Sequence, residues 1–109
     1  MKIAQHTDND TLTLALDGEL DASSSVSLDT ELTKPDILSY RKVMIDCQRL
    51  NYISSAGLGV FISHLQRFQD AGVKLVFFNM QDKVHNVFEI LGLDSLMTIV
   101  PTAQEAASV

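Results

Sequence analysis

Apolar runs that alternate with an amphipathic helix constrain the fold of this chain more than any other feature. Lys42–Cys47 and Val73–Phe78 are short, mostly apolar runs, the pattern of strands buried on both faces of a sheet. Between them, apolar residues follow the i, i+3, i+4 spacing of a helix with one buried side: Leu58, Phe61, Ile62, Leu65 and Phe68. Strands alternating with helices predict an α/β fold.

The remaining elements complete this prediction. Residues 2–7 and the alternating run 11–17 predict a hairpin with its turn at residues 8–10, and Gly18–Asp21 is expected to break the second strand. Helices are predicted at 22–32 and about 81–91, and a short strand at 98–100 precedes a helix that begins at Thr102. The side chains expected to face inward from the first two of these helices are Val26, Leu28, Leu32, Val84, Val87, Phe88 and Leu91. We therefore expect a single α/β domain over residues 1–109, with a mixed sheet of four to five strands and about four helices packed on it.

Charge and composition exclude several functions. The formal net charge is −6 and the basic residues are scattered, which argues against binding to nucleic acid or to an anionic membrane. No apolar run approaches the ~18 residues that span a bilayer, and no secretory signal is visible, so a cytoplasmic protein is expected. The single cysteine, Cys47, lies within an apolar run and is expected to be buried and inert.

No arrangement of residues predicts catalysis, a metal site or a cofactor. His6, His64 and His85 are far apart in sequence, and His64 is expected to be solvated on a helix surface. A small nucleotide-binding enzyme that uses a helix N-terminus as a phosphate cradle is the weakest alternative, because the chain has no phosphate-loop lysine.

The start of the central helix carries the functional information. Ser54 and Ser55 arrive where a helix begins, and a serine there caps a free backbone N–H. Capping does not explain Gly57 and Gly59, since glycine in a helix costs roughly 0.8–1 kcal/mol relative to alanine. The glycines indicate a close approach to the backbone, either by the chain's own sheet or by another protein. With Val60 on a polar side of the helix, the segment is interpreted as a small, flat docking patch.

Two segments resemble a known family. The run from Ile53 to Val60, ISSAGLGV, is similar to the signature of STAS domains, which include the bacterial anti-sigma factor antagonists. The earlier run from Leu16 to Asp21, LDGELD, resembles that family's other recurrent loop, and the order of elements matches throughout the chain.

The resemblance implies a role and a site. A member of this kind binds an anti-sigma factor that is also a serine kinase, and phosphorylation of one serine at the helix start blocks docking until a serine phosphatase removes the phosphate. Carried over by position, the target is Ser55, with Ser54 as the alternative. The implied partner-binding residues are Asp21, Ser54, Ser55, Gly57, Gly59, Val60 and Ser63. The alternative function is a STAS scaffold or transporter-associated subunit without a phosphorylation switch, and the oligomeric state, monomer or weak dimer, stays open.

Overall fold

The computed structural model describes residues 1–109 and contains five strands, four α-helices and two short 3₁₀ turns. The strands are β1 (Lys2–Asp8), β2 (Thr11–Leu20), β3 (Lys42–Ile53), β4 (Lys74–Phe78) and β5 (Thr98–Val100). The helices are α1 (Ser24–Thr33), α2 (Ser55–Asp70), α3 (Asp82–Ile90) and α4 (Ala103–Ser108), and the 3₁₀ turns span Pro35–Ser39 and Leu93–Ser95. No helix is long and apolar enough to cross a lipid bilayer.

The five strands form one mixed sheet in the order β1-β2-β3-β4-β5. β1 pairs antiparallel with β2 through a two-residue turn, whereas β2, β3, β4 and β5 are mutually parallel. Parallel neighbours need a crossover, and α1, α2 and α3 supply these connections. The predicted mixed sheet with about four helices is confirmed.

Helices cover the two faces of the sheet unequally. The main core joins side chains of β2, β3 and β4 to α1, α2 and α3 on one face, and Phe77 of β4 packs edge-on against Phe61 of α2. On the other face a small cluster of Met44, Val76 and Phe78 lies beneath Ala106 of α4. On this second face of the sheet, no helix covers β1 and β2.

Three strands are longer than the sequence predicts, β1 by a single residue, Asp8, which was predicted to lie in the turn. β2 does not break at Gly18 but continues to Leu20, because Gly18 takes a φ of +116° and absorbs a shift of register within the strand. β3 does not end near Asp46 or Cys47 but runs on to Ile53. A search for apolar runs does not predict this extension, because the second half of β3 contains exposed polar residues.

The predicted inward faces of three helices are partly wrong. Val26 is 66% exposed, Ile62 45% and Leu91 58%, whereas the other expected core residues are buried or half-buried. His64, expected on the surface, is only 7% exposed. Its Nε2 lies 2.8 Å from Asp29 Oδ1 of α1, so a partner on the neighbouring helix satisfies the buried ring. Spacing along one helix does not reveal that a second helix covers its flank.

Candidate docking surface

The two segments that resemble the family motifs meet at one edge of the sheet. The last residues of β2 and β3, Leu20 and Ile53, are paired in register, and the Ser54 amide donates a 2.9 Å hydrogen bond to the Leu20 carbonyl oxygen. Both loops therefore lie at the carboxyl ends of neighbouring parallel strands, where α/β proteins commonly place their functional residues.

The two serines at the start of α2 have different environments. Ser54 is the N-cap residue: its extended backbone precedes the helix, and its hydroxyl accepts a 3.2 Å hydrogen bond from the Gly57 amide. Ser55 is the first helical residue; it is exposed, and its hydroxyl makes no hydrogen bond within the chain. The capping role thus falls to Ser54 and leaves the Ser55 hydroxyl accessible to a partner.

Gly57 packs against the chain's own sheet, which is one of the two explanations that the sequence leaves open for a glycine at this position. It is buried, and a Cβ atom there would lie 2.6 Å from Leu20 Cγ and 3.2 Å from Ile53 Cγ1. The close approach that the glycine permits is therefore by the chain's own sheet. Because of it, the first turn of α2 lies directly on the last residue pair of β2 and β3.

Gly59 has the opposite environment. A Cβ atom there would meet nothing within 4 Å, so this glycine leaves the helix backbone bare on the surface. Ser55 lies one turn before it, and Ile62 lies two turns after Ser55 on the same side of the helix. Ser63, one turn after Gly59, is exposed and donates its hydroxyl to the Val60 carbonyl oxygen at 2.7 Å. These four residues form a continuous exposed surface, which we call the α2 strip: Ser55, Gly59, Ile62 and Ser63.

Val60 does not belong to the α2 strip. It is half-buried and packs against the main core, on the flank of α2 that carries His64 and Arg67. The sequence places Val60 on a polar side of the helix, but α1 packs along that flank. Its contribution to an open patch is therefore small.

Asp21 holds the neighbouring loop in place. Its Oδ1 accepts hydrogen bonds from the Ser23 amide at 3.1 Å and the Ser24 amide at 3.0 Å, and the hydroxyls of both serines also lie 3.0 Å away. The bond from the Ser24 amide is the main reason that the pKa of this carboxyl falls to about 2, and the hydroxyl bonds add to it. Asp21 is thus ionised and caps the start of α1, with Oδ2 free of bonds within the chain.

The surface is open, with an electrostatic preference for anions at the start of α2. Neither Ser54 nor Ser55 lines any of the main cavities, so the arrangement suits a macromolecular contact better than an enclosed small molecule. The first turn of α2 carries no acidic side chain, so its positive dipole end is not already neutralised.

Ile62 is the residue of this surface that the sequence interpretation missed. It was placed in the core because it fits the i, i+3, i+4 stripe, yet it is 45% exposed. Its distance of seven residues from Ser55 is the signal that identifies it, since seven residues make two helical turns. An apolar side chain beside a bare glycine gives the α2 strip the apolar centre that protein interfaces use.

Comparisons with known proteins agree with this architecture. The family model for the STAS domain matches residues 2–106. BtrV of Bordetella bronchiseptica is 30% identical over 108 residues, which cover 99% of this chain and 93% of BtrV. The anti-sigma-B factor antagonist of Listeria monocytogenes is 28% identical over 92 residues, 84% of this chain and 81% of that protein. The phosphorylated form of the Bacillus cell fate determinant SpoIIAA superposes with a TM-score of 0.74 at 18% identity, covering 98% of this chain and 97% of SpoIIAA.

Proposed function

Since this chain belongs to the STAS domain family, we propose that it is an anti-sigma factor antagonist whose docking on an anti-sigma factor is ended by phosphorylation of Ser55. The partner is an anti-sigma factor that is also a serine kinase, and a serine phosphatase restores docking. Curated relatives that carry the name anti-sigma-B factor antagonist, and the phosphorylated form of SpoIIAA, support this role by similarity.

One observation carries the choice of Ser55. Of the two serines at the helix start, Ser54 is committed to the Gly57 amide, whereas Ser55 is exposed and free of hydrogen bonds within the chain. A kinase needs an accessible hydroxyl that the fold does not require. Ser55 meets this condition, and Ser54 meets it only if α2 loses its cap.

The α2 strip supports docking at the same place. Ser55 lies at one end of the strip, with the bare backbone at Gly59 and the exposed Ile62 behind it. A partner that covers the strip therefore also covers the Ser55 hydroxyl, and a group added there enters the interface directly. Asp21, in the loop held against Ser54, lies at the margin of the same surface and offers Oδ2 to a donor on the partner.

The electrostatics of this position suit a switch. A phosphate at Ser55 adds nearly two negative charges at the N-terminus of a 16-residue helix, where the dipole favours an anion by about 0.3–1 kcal/mol, so the fold tolerates it. A carboxylate of the partner that faces Ser55, by contrast, is repelled by this phosphate. One like-charge contact at about 4 Å costs on the order of 4 kcal/mol at an effective dielectric of about 20, which is roughly a thousandfold in affinity.

Binding measurements with charge-matched variants test the proposal. Ser55→Asp is compared with wild type and with Asn86→Asp, which adds the same charge at an exposed position of α3. Titration calorimetry with the cognate anti-sigma factor should show at least about a hundredfold loss for Ser55→Asp, since one repelled contact costs several kcal/mol, and no loss for Asn86→Asp. Melting temperatures of all three proteins should agree within a few degrees.

Phosphate mapping completes the test. Incubation with the anti-sigma factor and ATP, followed by mass spectrometry, should place one phosphate on Ser55, and Ser55→Ala should abolish it while Ser54→Ala should not. Unchanged binding of Ser55→Asp, with no phosphate on either serine, would refute the switch and favour the alternative of a scaffold or transporter-associated STAS subunit, in which both serines belong only to the helix start.

A further inference from the structure

The free edge of β1 is a second candidate interaction surface, independent of the proposed function. β1 is the first strand of the sheet order, so one of its edges has no partner strand. Six of its seven residues are exposed, and Ile3 alone is half-buried. The strand contains no proline and no bulge, two of the devices that protect a free edge from pairing, and its charged side chains lie only at its two ends, Lys2 and Asp8.

The turn between β1 and β2 defines which backbone groups are free. Asp8 pairs with Thr11 across the two-residue turn, so these two residues exchange both hydrogen bonds, and pairing alternates from there along the ladder. The N–H and C=O groups of the even-numbered residues of β1 therefore point to β2. Those of Ile3, Gln5 and Thr7 point away from the sheet and are available to another strand.

We propose that β1 pairs antiparallel with β1 of a second copy, on a two-fold axis through Gln5, so that the two five-stranded sheets become continuous. In this register Ile3 faces Thr7 of the second copy and Gln5 faces Gln5. These three pairs use the outward groups of both strands and give about six hydrogen bonds.

Charge complementarity selects this register. Lys2 and Asp8, at opposite ends of β1, are its only formally charged side chains, and the proposed pairing places each opposite the other at both ends. The side chains between them, Ala4 and His6, also face each other. A slip by two residues in either direction retains the hydrogen-bonding pattern but loses both Lys2–Asp8 contacts and shortens the ladder.

The expected association is weak. Pairing of two edge strands buries less than the roughly 1,200 Å² of stable protein interfaces, and each copy carries a net charge of −6. A dimer should therefore form only at concentrations of about 10⁻⁴ M or above, where its apparent mass rises with concentration.

Single-cysteine crosslinking tests the register. In the proposed dimer the Cα atoms at position 5 of the two copies are about 5.5 Å apart, within disulfide range, whereas the two positions 7 lie well beyond it. Gln5→Cys should therefore give on the order of tenfold more disulfide dimer than Thr7→Cys under the same mild oxidation. A mixture of Ile3→Cys and Thr7→Cys should give the mixed dimer. The native Cys47 does not interfere, because it is 1% exposed and burial raises its pKa.

Sedimentation equilibrium of wild type and Gln5→Pro provides the second measurement. The Gln5 N–H points away from β2, so proline there should remove the dimer with little change in melting temperature, whereas Ala4→Pro breaks the β1–β2 ladder. A monomeric wild type at millimolar concentration, or equal crosslinking at positions 5 and 7, would overturn the proposal. If Gln5→Pro fails to fold, the cysteine variants decide.

Discussion

The backbone amide of Ser54 donates a 2.9 Å hydrogen bond to the carbonyl oxygen of Leu20. This single bond joins the loop after β3 to the end of β2, two segments more than thirty residues apart in the chain. It brings the start of α2 and the loop of Asp21 to one edge of the sheet. The proposed docking surface depends on this juxtaposition.

Replacing each of the two glycines of α2 with alanine should change the free energy of unfolding in opposite directions. Gly59→Ala should stabilise the protein by about 0.5–1 kcal/mol, because the position is open and alanine is the better helix former. Gly57→Ala should destabilise it by about 1–3 kcal/mol, because the new methyl group overlaps the fully buried Leu20. Urea denaturation measures both free energies of unfolding. Equal effects of the two substitutions would contradict the packing of Gly57 on the sheet.

The two serines at the helix start should differ in stability as well as in function. Ser54→Ala removes the hydroxyl that accepts from the Gly57 amide and should lower the free energy of unfolding by about 1 kcal/mol. Ser55→Ala removes a hydroxyl without a partner in the chain and should change it by less than about 0.5 kcal/mol. Chemical denaturation of the two variants beside wild type measures this difference, and the reverse order of stabilities would show that Ser55 is the cap.

Asp21 should give the protein a measurable pH dependence in acid. Its pKa is lowered from 3.8 to about 2 in the folded protein, so its ionised form favours folding. That stabilisation is present above about pH 4 and is lost as the pH falls towards 2. Asp21→Asn keeps a capping oxygen without the charge, so the stability difference between wild type and this variant should shrink over that interval. A difference independent of pH would show that the carboxylate form is not favoured.

Arg67 should stabilise the contact between α1 and α2. Its guanidinium donates to the Leu32 carbonyl oxygen at 2.7 Å and the Thr33 carbonyl oxygen at 3.3 Å, at the end of α1. Arg67→Met should lower the free energy of unfolding by about 1–3 kcal/mol, since charged hydrogen bonds are lost. Arg67→Lys should retain only part of the stability that Arg67→Met loses, because an ammonium group lacks the two-pronged geometry of the guanidinium. Full recovery by lysine in thermal denaturation would mean that charge alone matters.

Much of the fold is predictable because local signals were strong. Gly72 and Gly92 lie just beyond the ends of α2 and α3, and both take left-handed φ angles, +73° and +72°, that favour glycine as a helix stop. Thr102 was expected to begin the last helix, and its hydroxyl accepts from the Glu105 amide at 3.2 Å. The last strand lies at residues 98–100 as predicted. For the two glycines and Thr102, the deciding atoms lie within a few residues of one another.

The features that the sequence does not predict depend on contacts between segments that are far apart in the chain. The sequence leaves open whether the chain's own sheet or another protein approaches Gly57, because the residue that fills the space beside it, Leu20, lies far away in the chain. His64 was assigned to solvent because its partner, Asp29, belongs to another helix. Ile62 fitted the apolar stripe, but α2 is rotated so that this residue is left exposed.

The sequence alone determined the order of the elements, their type, the pairing of the hairpin and the serine-containing helix start, since hydrophobic period, turn residues and capping act over a few residues. Only the tertiary structure decided which of the two serines caps α2. It also decided which glycine packs against the chain's own sheet, which glycine is exposed, and which side of α2 faces solvent. These depend on how one helix lies on the ends of two strands, and packing between segments distant in sequence sets that position.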